Sequence, residues 1–316
     1  MALLIDNRTL GAKIETTKGT FEAVDFDLSP RDIAYTEEVE EYVRKLALGD
    51  HGYSESIMGR RSVTLTFSHE IQGSGAAGTA PKLGKLLRAC GYKETVAATT
   101  SVTYNPSTEE DCTTISFDIR DLACGASKQV QTKIAGAMGS VTFVLDNIGA
   151  PIRADFEFRG KLVEAPQEIN TPVYPTGFDT TKPPAVLGTT VSLGGVNQRV
   201  DKWEVSSGED VQTLVDPGDA SGWFHSYINA REMTATMDPE SVLPGVDNIV
   251  DKWLTETIGI WTSTAGSTAG NIVTFTAPEA QITAAPVGDR NGAVTRDVTM
   301  RFLRDTGNDE LSIILT

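Results

Sequence analysis

Arg61-Ser-Val-Thr-Leu-Thr-Phe67 carries the argument for the fold. Val63, Leu65 and Phe67 alternate with Ser62, Thr64 and Thr66. Successive side chains of a β-strand point to opposite faces, so the segment reads as a strand with one buried and one wet face. The same period recurs at Val24, Phe26 and Leu28, at Ile115, Phe117 and Ile119, at Val141, Phe143 and Leu145, and at Phe156 and Phe158. Late in the chain it returns at Val273 and Phe275 and at Val298, Met300 and Phe302. One-sided alternation belongs to antiparallel sheets, not to a doubly wound parallel sheet. The fold class expected is mainly β.

Helix signals are few. Residues 81–90 place Leu83, Leu86, Leu87 and Cys90 at helical spacing, with Pro81 suited to the first turn and Gly91 to the exit. Residues 246–258 put Ile249, Val250, Trp253, Leu254 and Ile258 on one stripe. A third candidate helix covers residues 37–48 through Val39, Tyr42, Val43 and Leu46. Pro166, Pro172, Pro175, Pro183 and Pro184 mark residues 166–186 as an extended linker between residues 1–165 and 187–316.

The two parts look related. Arg61 to Phe67 matches Arg231-Glu-Met-Thr-Ala-Thr-Met237 in alternation, in the arginine and in both threonines. Each is followed by a loop and an amphipathic helical segment ending in glycine, Gly91 or Gly259. Strands at residues 114–119 and 271–276 look equivalent, and Gly149-Ala150 and Gly292-Ala293 each lead into a closing strand. An internal duplication is therefore expected.

Composition excludes several classes. The 316 residues carry 43 acidic and 27 basic side chains, for a formal charge of −16. Duplex affinity comes mainly from Lys and Arg on phosphates, so a nucleic-acid-gripping role is disfavoured, as is an anionic membrane surface. Cys90, Cys112 and Cys124 are too few and too odd in number for a disulfide framework. The apolar start of the chain is interrupted by Asp6 and Arg8, too early for a signal-peptide core. Synthesis in a cytoplasm is expected, with the protein either staying soluble there or being built into something there.

Gly73-Ser-Gly75-Ala-Ala-Gly78 is a literal G-x-G-x-x-G. A dinucleotide site needs those glycines directly against a helix N-terminus, after a strand buried on both faces. Here the preceding strand alternates, and Thr79, Ala80 and Pro81 intervene before the helix, so a loop between elements is the better reading. His51, His69 and His225 sit in no metal-ligand spacing. Asp305-Thr-Gly-Asn-Asp309 lacks the EF-hand spacing and reads as a hairpin turn between residues 298–303 and 311–315. No catalytic constellation, cofactor or metal is called for.

As an ordered set, these segments resemble the major tail tube protein of long-tailed bacteriophages. The resemblance runs through Gly59 to Phe67, Gly73 to Pro81, Leu86 to Tyr92, Ser101-Val-Thr-Tyr-Asn-Pro106, Ala135 to Phe143 and Ala154-Asp-Phe-Glu-Phe-Arg-Gly160. It covers most of the first half, while the second half is similar in pattern only. It implies two tandem β-sandwich or barrel-like domains, each with a flanking helix, and a non-enzymatic protein that builds stacked rings in the virion tail. A duplicated chain would form trimeric, pseudo-hexameric rings. DNA would pass through the channel without specific binding. The family's partners would be a tape measure protein, a tail terminator and a baseplate or distal tail protein. Asp25, Asp27, Asp118, Asp155 and Glu157 lie on polar strand faces and are the candidate channel-lining acids. Arg60, Arg61, Tyr42 and Tyr53 are the candidate inter-subunit contacts, and residues 37–53 and the Pro-rich linker are candidates for ring-to-ring contact. The alternatives are another virion β-protein, decoration or baseplate, or a carbohydrate-binding adhesin. The adhesin would use Trp203, Trp223, Trp253 and Trp261 as a stacking platform, although Trp253 lies on a helical stripe and reads as core.

Overall fold

The computed structural model describes residues 2–47, 49, 51–125 and 127–316. Strands hold 52% of the chain and helices 4%, in large antiparallel sheets, so the protein is mainly β. The first half runs β1 (Leu3–Ile14), β2 (Arg31–Tyr42), β3 (Ile57–Glu70), α1 (Gly84–Arg88), β4 (Tyr92–Ala97), β5 (Ser101–Pro106), β6 (Ile115–Ala123), β7 (Gln129–Leu145), β8 (Arg153–Leu162) and β9 (Gln167–Ile169). The second runs β10 (Val191–Leu193), β11 (Val196–Gln198), β12 (Trp203–Ser206), β13 (Glu209–Val215), β14 (Trp223–Arg231), β15 (Thr234–Met237), α2 (Ile249–Leu254), β16 (Ile258–Ala265), β17 (Val273–Ala284), β18 (Val287–Arg290), β19 (Ala293–Arg296), β20 (Val298–Leu303) and β21 (Ser312–Leu315).

Each half is organised around one long strand that pairs along both edges. β7 pairs with β6 along one edge and with β9 and β8, end to end, along the other. β17 pairs with β16 along one edge and with β21 and β20, end to end, along the other. The same irregularity bends both pairs. Between Ile115↔Ala137 and Phe117↔Ile134, two steps on β6 face three on β7. Between Gly259↔Ala280 and Trp261↔Ala277, two steps on β16 face three on β17. An extra residue of this kind kinks a strand and increases its twist. In β7 the bend is at Gly136, whose φ of +62 favours glycine. These pairings make β16 the counterpart of β6 and β17 that of β7. They correct the expected match between residues 114–119 and 271–276, which are β6 and β17.

The halves share sheets. β12 pairs with the last residues of β7, Trp203 opposite Leu145 and Ser206 opposite Thr142. β21 pairs with β5 of the first half, Ile313 opposite Tyr104. They also share a core, and aromatic rings mark its path: Tyr92 against Phe143 at 6.4 Å, Phe143 against Phe275 at 5.1 Å, Phe275 against Trp203 at 5.4 Å and Trp203 against Trp261 at 5.5 Å. The Pro-rich segment is fastened down. β9 pairs with β7, Thr176 donates to the Phe26 carbonyl, and Val186 is buried.

The expected helix over residues 37–48 is instead strand as far as Tyr42, paired to β3 from Arg31↔Ser68 to Tyr42↔Ile57; Leu48 lies outside the described residues. β-branched and aromatic residues suit this ladder, and the tertiary pairing overrides the helical spacing of Val39 and Tyr42. Both remaining helices are short. α1 buries Leu86 and Leu87, but α2 buries only Ile249. Trp253 is 39% and Leu254 72% exposed, so the expected core stripe is mostly surface. β20 and β21 form no hairpin, since both pair with β17. The turn between them is closed by the Asp309 carboxylate, which accepts from the backbone N–H of Asp305, Thr306 and Gly307 at 2.8–3.2 Å.

Candidate assembly surface

Following the ladders in order, β2, β3, β8, β7, β12, β15, β20 and β17 form one run of eight strands, four from each half. Alternation gives the run two distinct faces. Inward lie Val63, Leu65, Phe67, Phe156, Phe158, Phe143, Trp203, Met237 and Met300, all buried. Outward the ladders line up polar residues: Ser68, Asp155, Thr142, Ser206, Thr234, Arg301 and Gln281 form one row across the sheet. Hydroxyl side chains dominate this face, and threonine suits a strand that is half wet. Its arginines face acids: Arg153 Nε is 3.0 Å from Asp155, and Arg301 is 2.6 Å from Glu232. Among the described residues Glu157 and Glu204 have no basic partner.

The run ends on open edges. β2 pairs only with β3 among the described residues, although its counterpart β12 pairs on both sides, with β15 and β7. At the other end, β17 beyond Gln281 pairs on one side only, with β20. An unpaired row of backbone N–H and C=O groups is a template for another strand.

Two of the five expected channel-lining acids are on this face: Asp155 is half-exposed and Glu157 is fully outward on β8. The other three are elsewhere. Asp118 is only 3% exposed, clamped by Arg120 at 2.7 Å through two nitrogens and by Gln131 at 2.6 Å. β6 is covered on both faces around it, so a polar residue there points into a buried ion pair. Asp27 pairs with Lys85 and, at 3.4 Å, with Lys82, beside α1. Asp25 is exposed but bridges to Ala12 on β1, outside the eight-strand run.

The four expected contact residues cluster on the β2–β3 hairpin. Arg60 Nε donates to Glu40 at 2.9 Å and holds that carboxyl below its usual range. Arg61 and Tyr42 are exposed, Tyr53 is 74% exposed, and Val39, Val43, Leu46, Ile57 and Met58 add apolar surface to the same hairpin. In the second half the corresponding hairpin, β13–β14, lies across the first half. Asp219 binds Lys161 at 2.6 Å, and Arg159 sits 5.5 Å from the Trp223 ring.

One polar cluster between the halves carries no sequence signal. Arg231 lies 4.0 Å from Asp111 and 3.6 Å from Glu310, and Glu209 packs nearby against Ser207 and the Val141 backbone. Burial pushes the Glu209 carboxyl up to about 8, against the hydrogen bond from Ser207. Its members are separated by up to 199 residues, so no local spacing could reveal it.

The glycine-rich loop has a packing role. Gly73 N–H donates to Asn271 Oδ1 at 2.9 Å, Gly75 N–H donates to the Gly270 carbonyl at 3.1 Å, and a Cβ on Gly73 would lie 2.0 Å from that same carbonyl oxygen. Trp203, Trp223 and Trp261 are buried, which removes the four-tryptophan platform. Among the described residues no three His, Cys, Asp or Glu side chains could hold a metal ion, and no helix is long and apolar enough to cross a membrane. No family model and no curated protein matches the chain.

Proposed function

We propose that this chain is a structural subunit that assembles into rings and stacks them into a tube, the tail tube of a virion, through which DNA passes. The observation that carries the reading is the eight-strand antiparallel run, apolar inside, polar outside and open at both edges. The matching strand orders of the two halves, with the same bulge in each, support an internal duplication of a tube domain. Joining open edges from copy to copy removes them all once the ring closes. Three copies bring 24 strands. At about 4.8 Å between strands and a tilt of about 40°, the backbone diameter is roughly 45–50 Å, wide enough for a duplex.

The polar face would then line the channel. Its Ser and Thr hydroxyls and unpaired Glu157 and Glu204 give a lumen that does not hold phosphates, in keeping with the chain's acidic balance. The role needs no catalysis and no cofactor. By resemblance, a tape measure protein, a tail terminator and a distal tail or baseplate protein would be the other partners, and the Pro-rich segment would reach the next ring.

Negative-stain electron microscopy across a concentration series, with mass photometry of the smallest species, tests the reading. Hollow rings or tubes with three chains per ring are expected. Six chains per ring would keep the tube and remove the two-domain reading. A lasting monomer, even when seeded with tail tips, would overturn the tube.

A further inference from the structure

The β13–β14 hairpin continues β12 and β15 outward and is seated on the first half at defined points. The Trp223 ring sits against the Arg159 guanidinium, Ser226 Oγ donates to the Arg159 carbonyl at 2.7 Å, and Ile228 N–H donates to the Asp111 carbonyl at 2.9 Å. Trp223 and Ile228 are buried there. The distal part of the β2–β3 hairpin is the counterpart in the first half. Counting from the matched pair Arg231 and Arg61, Tyr53 stands where Trp223 does and Met58 where Ile228 does. Yet Tyr53 is 74% and Met58 60% exposed.

The receiving surface has a counterpart too. Arg159 lies opposite Met138, just past the bulge in β7, and Arg301 lies opposite Gln281, just past the bulge in β17. Ile115 and Gly259 open the same bulge, which puts Thr255 in the place of Asp111. Around Thr255 the chain leaves Leu254, Ile258 and Ile260 exposed, and Glu256 adds a carboxylate. The molecule thus displays both an unseated hairpin and an uncovered seat, and in the other half it shows how the two fit.

The geometry points to a second copy of this chain as the occupant: the β2–β3 hairpin of one copy docks on the second half of its neighbour. This docking rests on the ring reading above. Tyr53 takes the Arg301 guanidinium on its ring, Met58 donates its N–H to the Thr255 carbonyl and packs on Leu254 and Ile258, and Arg61 comes beside Glu256, one residue past the place of Asp111. By the same operation, the free edge of β2 comes against the chain that follows β17, from Pro286 into β18, as β12 comes against β7. Aromatic and apolar anchors over a cation are the kind of contact that dominates an interface.

The test is a Met58→Cys, Thr255→Cys double variant of the full chain with Cys112→Ser and Cys124→Ser. Residues joined by a backbone N–H···O bond bring their Cα atoms within disulfide reach. Mild oxidation of assembled rings should give covalent species of two and three chains and none larger, and each single-cysteine variant should give no such series. Rings that form by microscopy but do not cross-link overturn the docking and leave the ring reading standing. A cross-link closed within one chain also overturns the docking, and a monomer at every concentration overturns both. As a second measurement, Tyr53→Ala with Leu254→Asp should raise the concentration needed for ring formation at least tenfold, with the melting temperature unchanged. An unchanged assembly threshold would count against the docking.

Discussion

Phe158 shows what single residues contribute here. It is buried on β8 with its ring 4.8 Å from Phe117 and 5.9 Å from Phe67, beneath the polar face that bears Glu157. Phe158→Ala should lower stability by about 3–5 kcal/mol in urea unfolding, as large core deletions do. Phe158→Asp would bury an unpaired carboxylate and should yield insoluble chain; soluble, ring-forming protein carrying it would refute the burial. Glu209 sets a pH dependence of the opposite kind to a salt bridge. Its folded-state pKa is raised from 4.5 to about 8, so ionising it works against the fold. The stability it contributes is whole below about pH 4.5 and is lost as pH rises through about 8. The groups facing it are Ser207 on its own segment, the Val141 backbone on β7, Cys90 and Tyr92 beside α1, and Arg231 on β14, which also pairs with Glu310. The melting temperature should fall between pH 5 and 8, and Glu209→Gln should flatten that fall; an identical slope in the variant would rule Glu209 out as its source.

Elements depend on contacts that cross the chain, which is why some were readable in sequence and others were not. Gly73→Ala tests one such contact. The added methyl would overlap the Gly270 carbonyl, with backbone on both sides and no flexible side chain to yield. A loss of about 1–3 kcal/mol is expected from overpacking, measured by thermal or urea unfolding. A change near zero would mean that the two loops part easily. Strands β3, β7 and β8 were legible because each has one wet and one buried face, so residues such as Phe67, Phe143 and Phe156 announce themselves by period two. β2 was not, because Val39, Tyr42, Val43 and Leu46 imitate a helical stripe while their exposure removes the burial that spacing normally reports. The α2 stripe misled for the same reason. At the candidate surface, Asp155 and Glu157 were legible from their own strand. Asp118 was not, since alternation tells which side of a strand is polar but not whether a second layer covers that side. The join of β7 to β12, which creates the long sheet, links positions 58–64 residues apart and has no local signature.

At the scale of the whole molecule the shared ladders and core predict that the two halves unfold as one unit. Chains with two independent domains commonly unfold in separate steps. Here β12 completes the edge of β7, β21 completes the edge of β5, and the aromatic path from Tyr92 to Trp261 passes between halves without a polar break. Separating the halves would expose Phe143, Phe275 and Trp203 and leave two ladders unpaired. That loss outweighs what a half of this size retains, given that whole domains are stable by only about 5–15 kcal/mol. Calorimetry of the full chain should therefore show a single transition, and Phe143→Ala should move all of it down together. Residues 1–165 and 187–316 produced separately should each fail to give a cooperative melt, and co-expressed they should associate. Two transitions in the intact chain, with Phe143→Ala shifting one and sparing the other, would mean that the shared sheet edges carry little of the stability and that the halves stand alone.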